Sequence, residues 1–65
     1  MNNLKKRREE LNLTQKQVAD NAQIAIRLYQ YYETEDRLPN VLTAIKIAEA
    51  LQTSVEGLFK VNTII

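Results

Sequence analysis

Sixty-five residues without a single cysteine or histidine have to fold on apolar packing alone. No disulfide and no Cys- or His-based metal site can staple such a chain. A domain of about 60 residues buries only about 60% of its unfolded surface, so its stability is marginal. Two routes remain: short helices packed closely, or a partner chain that covers further apolar surface. Both are expected here. The apolar share of 45% and the net charge of only +1 set the chain apart from a disordered tail.

The same residues narrow the function. No apolar run approaches the ~20 residues that cross a bilayer, so no membrane association is expected. The N-terminus leads straight into Lys5, Lys6, Arg7 and Arg8, with no apolar stretch after it, which predicts no secretory signal and a cytoplasmic location. One glycine leaves no phosphate-cradling loop. Thiol and imidazole catalysis are out, and nothing gathers an acid, a base and a nucleophile. A core this thin could hardly surround a catalytic pocket of about 300–1,000 Å³. The chain therefore reads as a non-enzyme with no catalytic residue, no metal, no cofactor and no small-molecule ligand.

Local signals divide the chain into five short helices. The first is predicted over about Asn3 to Leu11, with Leu4 and Leu11 on one face and Asn12 able to close it in the left-handed conformation. Leu13 then anchors the connection in the core. Thr14-Gln15-Lys16-Gln17 has the spacing of a capping box, the best-marked helix start in the sequence. Val18, Ala19 and Ala22 give that second helix its inward face. The third runs from about Ala25 to Glu33 with a poor N-cap, and Ile24, Leu28 or Tyr29, and Tyr32 turn inward. Tyr29 reads as core, Tyr32 as a cover with its hydroxyl near solvent, and Leu28 as partly exposed. Pro39 disfavours helix at Leu38, and Asn40 is a good N-cap. The fourth helix follows over about Val41 to Leu51, with Val41, Leu42, Ile45, Ala48 and Leu51 as its apolar stripe. The fifth covers about Val55 to Phe59, capped by Thr53 or Ser54. Val61 to Ile65 reads as either a short strand or an ordered tail.

The segment from about Leu4 to Phe59 resembles the phage-repressor/Cro type of helix-turn-helix domain, the XRE-like family. The likeness is carried by Leu13-Thr14-Gln15, Val18-Ala19, Tyr32-Glu33, Arg37 with Pro39, the run Thr43 to Leu51, and Ser54 with Leu58-Phe59. It implies an all-α fold: a compact five-helix bundle of the lambda-repressor-like DNA-binding type over residues 1–60, followed by an apolar tail at 61–65. It also implies a sequence-specific DNA-binding regulator, a repressor, that grips an inverted-repeat operator as a homodimer with the helix at about 25–33 in the major groove.

The physical reading places the same parts. A reading helix has to be held rigidly across its neighbour to enter a groove about 12 Å wide. Ala19, Ala22 and Ala25 permit that close approach. Residues 1–32 carry six basic and three acidic side chains, a net of +3, while residues 33–65 carry three and five, a net of −2. A phosphate-facing surface belongs on the first half. A merely solvated face explains Lys5, Lys6 and Arg7 equally well.

Ile26, Arg27, Gln30 and Tyr31 are expected on the outward face of the third helix, reading bases. Arg27 can pair bidentately with guanine O6 and N7, worth ~1–3 kcal/mol of discrimination, and Ile26 can pack on a thymine methyl. By resemblance, Thr14, Gln15, Lys16, Thr34, Arg37 and Asn40 meet the DNA backbone, and Arg8 and Glu33 form a structural ion pair. Lys16 serves equally well as a solubilising side chain. Leu58, Phe59, Val61, Ile64 and Ile65 are the expected dimer contact. The alternative is a protein-interaction module on the same fold, such as the antitoxin of a toxin–antitoxin pair, with Ile26, Leu28 and Tyr31 facing a protein. Two positions depart from the family. Gln23 stands where glycine usually closes the second helix, a substitution costing roughly 1–2 kcal/mol unless the turn differs. Thr34-Glu35, with Asp36 next, stands where Asn-Gly is usual and sets two carboxylates near the DNA.

Overall fold

The computed structural model describes residues 2–59. Within them run five helices: α1 (Leu4–Glu10), α2 (Gln15–Ala22), α3 (Ile26–Glu33), α4 (Val41–Ala50) and α5 (Val55–Leu58). No strand occurs among the described residues, so the fold is all-α. The expected tail at 61–65, with Val61, Ile64 and Ile65, lies outside the described residues.

Helix starts follow local chemistry. The Thr14 hydroxyl oxygen accepts from the Gln17 N–H at 3.0 Å, and Gln17 Oε1 accepts from the Thr14 N–H at 2.8 Å. Both halves of the capping box are thus present. Asn40 accepts from the Thr43 N–H at 2.8 Å, and Ser54 from the Gly57 N–H at 3.1 Å. Ala25 has nothing to cap with, and α3 begins without a side-chain cap. At α1 the work falls to Asn2. Its Oδ1 accepts from the Leu4 N–H at 3.1 Å, while its Nδ2 donates to the Tyr32 carbonyl at 2.7 Å and fastens the chain start to α3.

Four helix ends share one device. Leu13 and Asn12 donate to the Arg8 and Glu9 carbonyls, Ile24 and Gln23 to Ala19 and Asp20, Asp36 and Glu35 to Tyr31 and Tyr32, and Thr53 and Gln52 to Ala48 and Glu49. This is the Schellman pairing, which needs one residue in the left-handed region. That residue is never glycine: Asn12 has φ 57°, Gln23 62°, Glu35 66° and Gln52 56°. The turn after α2 therefore keeps its left-handed form despite Gln23, and Glu35 takes the corresponding position after α3.

The core gathers Leu4, Val18, Ala19, Ala22, Tyr29, Tyr32, Ile47, Ala48, Leu51 and Leu58. Each fully buried large side chain among them contributes about 1.5–3 kcal/mol. α2 is the hub, packing on both α3 and α4, while α3 also meets α1 and α5 closes on α4. Leu28 is half-buried against the core beside the fully buried Tyr29.

The face of α4 differs from expectation. Ala44, Ile47 and Ala48 are buried, with Leu51 just after the helix, whereas Val41, Leu42 and Ile45 are exposed by 77%, 64% and 42%. Two apolar stripes coexist on this helix, and the periodicity of the sequence fits either. Packing selects the stripe with two alanines, because α4 runs against α2, which itself presents Ala19 and Ala22, and small side chains let helix axes approach. The bulkier stripe is left outside, and Leu38, three residues before the helix, is 81% exposed as well.

Arg7 also has a task that its charge alone does not reveal. Its Nε donates to the Leu51 carbonyl at 2.9 Å and its Nη2 to the Gln52 carbonyl at 3.1 Å. A cation on the two carbonyls just past the end of α4 both satisfies them and complements the helix dipole.

Candidate nucleic-acid interface

The α2–turn–α3 unit is built on three supports. Thr14 sets where α2 begins, the left-handed Gln23 turns the chain, and Tyr29 and Tyr32 seat α3 in the core. Tyr29 and Tyr32 face inward, so the opposite stripe of α3 faces outward. Ile26, Arg27 and Gln30 are exposed, and Tyr31 is half-buried. The Arg37 guanidinium lies over the Tyr31 ring, 4.9 Å from its centre, and holds the loop after α3 against the helix.

Beneath this stripe a polar chain runs from α1 to α3. Arg8 grips Glu33 through Nε at 2.7 Å and Nη2 at 3.4 Å, and its Nη1 donates to the Leu13 carbonyl at 3.0 Å. Gln15 Nε2 donates to Glu33 Oε1 at 3.0 Å, and Gln30 Nε2 donates to Gln15 Oε1 at 3.0 Å. The buried Tyr29 hydroxyl faces the same cluster without a hydrogen bond of its own. Burial works to raise the Glu33 pKa. The Arg8 hydrogen bond, the nearby Tyr29 hydroxyl, the Gln15 amide and the Arg8 charge outweigh it, so Glu33 lies below its ordinary value. The hydrogen bond to Glu33 is the main cause that raises Arg8. Burial first, then the Glu33 carboxylate, push the Tyr29 phenol upward.

A helix-turn-helix family model matches residues 4–58. The chain belongs to the helix-turn-helix family. Its members are DNA-binding domains of transcription regulators, and the α2–turn–α3 unit is the family's defining feature in this chain. Over 55 residues, 85% of its length, this helix-turn-helix chain is 38% identical to the cryptic phage CTXphi transcriptional repressor RstR of Vibrio cholerae serotype O1. The matched segment is 49% of that relative, so the chain spans about half the length of the curated protein it resembles.

Around the helix-turn-helix the expected backbone-contacting residues are distributed unevenly. Lys16 pairs with Asp20 at 3.0 Å, one helical turn on, with both side chains well exposed. Such a pair is worth ~0–1 kcal/mol and yields readily to a stronger anion. Thr14 and Asn40 use their oxygens as caps, which leaves the Thr14 hydroxyl hydrogen and the Asn40 Nδ2 group as donors. The Thr34 hydroxyl donates to the Asp36 carboxylate at 2.8 Å, so its hydrogen is already engaged. An open cleft lined by Lys5, Thr14, Gln15 and Thr34 runs beside the start of α2.

Of the expected dimer contact only Leu58 and Phe59 fall within the described residues. Leu58 is 1% exposed within a single chain and belongs to its own core, with Phe59 half-buried against it. Sequence reasoning missed the Gln15–Gln30 bond, since residues 15 apart in sequence meet only once α2 and α3 are packed. The Lys16–Asp20 pair was legible in its i,i+4 spacing. No helix among the described residues is long and apolar enough to cross a membrane.

Proposed function

We propose that this domain is the operator-binding part of a transcriptional repressor, with α3 lying in the major groove of duplex DNA. The observation that carries the reading is the outward stripe Ile26, Arg27, Gln30 and Tyr31, on a helix whose far end is clamped to α1 by Arg8 and Glu33. A rod held at both ends keeps its side chains in the geometry that base-edge contacts demand. Arg27 reads guanine, and Ile26 packs on a thymine methyl. The resemblance to a protein described as a transcriptional repressor supports the direction of regulation. Thr14, Gln15, Lys16, Arg37 and Asn40 serve the phosphate backbone. Thr34, its hydrogen held by Asp36, is left out of that set.

The operator is an inverted repeat in this reading, bound by two copies. One module covers only ~600–1,000 Å² of DNA-facing surface, too little for tight specific binding. Leu38, Val41, Leu42 and Ile45 supply the contact between copies. All four are exposed apolar side chains within eight residues of one another, and a two-fold axis sets such a surface against its own copy. The strip follows directly on the loop that Arg37 pins to α3, so joining two strips fixes the relation between two reading helices. The antitoxin-like alternative keeps Ile26 and Tyr31 as protein-facing side chains, whereas Leu28 is half-buried against the core and adds little to such a surface.

Selection of bound sequences from a random duplex pool tests this reading. An enriched inverted repeat with half-site centres roughly 34–36 Å apart, bound with a steep loss of affinity on adding salt, is the expected result. A pool that stays random, or binding indifferent to salt, overturns it.

A further inference from the structure

The order of donors and acceptors in the polar chain, half-buried at Arg8, Glu33 and Gln15 and exposed at Gln30, dictates which end of the Gln30 amide faces outward. Glu33, ionised beside Arg8, can only accept hydrogen bonds. Gln15 therefore turns its Nε2 toward Glu33, at 3.0 Å, and its Oε1 away from it. That oxygen can only accept, so Gln30 turns its own Nε2 inward to meet it, at 3.0 Å. The Gln30 oxygen is the end left pointing out of the helix. An unconstrained glutamine on a helix surface can rotate its amide by half a turn and offer a donor or an acceptor as the partner requires. Gln30 has lost that freedom.

We propose that Gln15 and Glu33 are positioning residues that fix Gln30 as a hydrogen-bond acceptor toward DNA. The proposal rests on α3 occupying the major groove, as argued above. An outward oxygen needs a donor on the base edge. In the major groove only adenine N6 and cytosine N4 donate, while guanine and thymine present acceptors alone. Gln30 therefore selects an amino-bearing base on the strand it touches. Gln15 acts through Gln30 and carries no base preference of its own. The polarity originates in the Arg8–Glu33 pair, so that pair both braces α3 and sets the chemistry of its reading face.

One substitution of Gln15 and one of Gln30, assayed by duplex-pool selection alongside the parent, test the assignment. Gln15→Met keeps the length of the side chain and removes both ends of the relay. Gln30 then regains its rotation, and the preference for adenine or cytosine at one column, about tenfold for a single well-placed contact, flattens while the other columns stay as in the parent. Gln30→Met, which removes the reading amide itself, flattens the same column and no other, so the profiles of the two variants coincide. On the DNA-free protein, side-chain amide NMR of Gln30 shows slowed hydrogen exchange in the parent and fast exchange in Gln15→Met. A Gln15→Met profile identical to the parent's, or Gln30 exchange that ignores the substitution, overturns the proposal alone. A parent that enriches no sequence overturns the functional reading and this proposal together.

Discussion

The Glu33 carboxylate at the end of α3 is clasped by the Arg8 guanidinium of α1, through Nε at 2.7 Å and Nη2 at 3.4 Å, with side-chain exposures of only 5% and 13%. Twenty-five residues of chain separate the partners. The pair closes the loop formed by α1, α2 and α3, and Gln15 adds a third strut from the start of α2.

Removing one partner of this pair leaves a poorly solvated charge behind. Glu33→Gln is expected to cost about 3 kcal/mol of unfolding free energy, read from urea titration. The folded-state pKa of Glu33 lies below its ordinary 4.5, so the folded protein holds fewer protons on this group than the unfolded chain does in the window between the two values. Stability from this source is thus fully present above pH 4.5 and is lost as the pH falls through the depressed value. The parent should lose stability over that acid range, and Glu33→Gln should lose less. Equal acid slopes in the two proteins would show that Glu33 is not the group responsible.

Gln23 holds a left-handed φ of 62° that costs a side chain roughly 1–2 kcal/mol and costs glycine nothing comparable. Gln23→Gly also loosens the unfolded chain, which takes back part of the gain. The net expectation is about 0.5–1 kcal/mol of stabilisation, or a rise in melting temperature of about 3–6 °C followed by circular dichroism. A lower melting temperature would mean that the Gln23 side chain makes up for its backbone.

Arg27 is exposed on the outer stripe of α3. Arg27→Ala should leave the melting temperature unchanged and weaken binding to the preferred operator by about 1–3 kcal/mol through one base position. Competition with operators altered at single positions reads this directly. Uniform weakening across all sequences would assign Arg27 to the phosphates.

Leu42 sits at 64% exposure in the middle of the apolar strip. Leu42→Lys should fold normally and shift sedimentation toward the single-chain mass, with affinity for a full inverted repeat falling toward that for one half-site. An unchanged sedimentation profile would exclude the strip as the contact between copies.

The amino-acid sequence alone determined the helices and their limits. The capping oxygens of Thr14, Asn40 and Ser54 act within three residues of themselves, and the left-handed stops lie next to the helices that they close. Such interactions are local, so they can be read without knowing how the chain packs. Tertiary structure decided whatever depended on a neighbour distant in sequence. On α4 two apolar stripes satisfied the same periodicity, and only the surface of α2 chose the one carrying Ala44 and Ala48. Leu58 could have faced a second copy until α5 closed over the core. Arg7 became a cap for α4, and Gln15 a link to Glu33 and Gln30, because packing brought atoms within 3.1 Å that lie 15 to 45 residues apart along the chain. A hydrogen bond reaches about 3 Å, whereas periodicity registers only what repeats within a few turns of one helix.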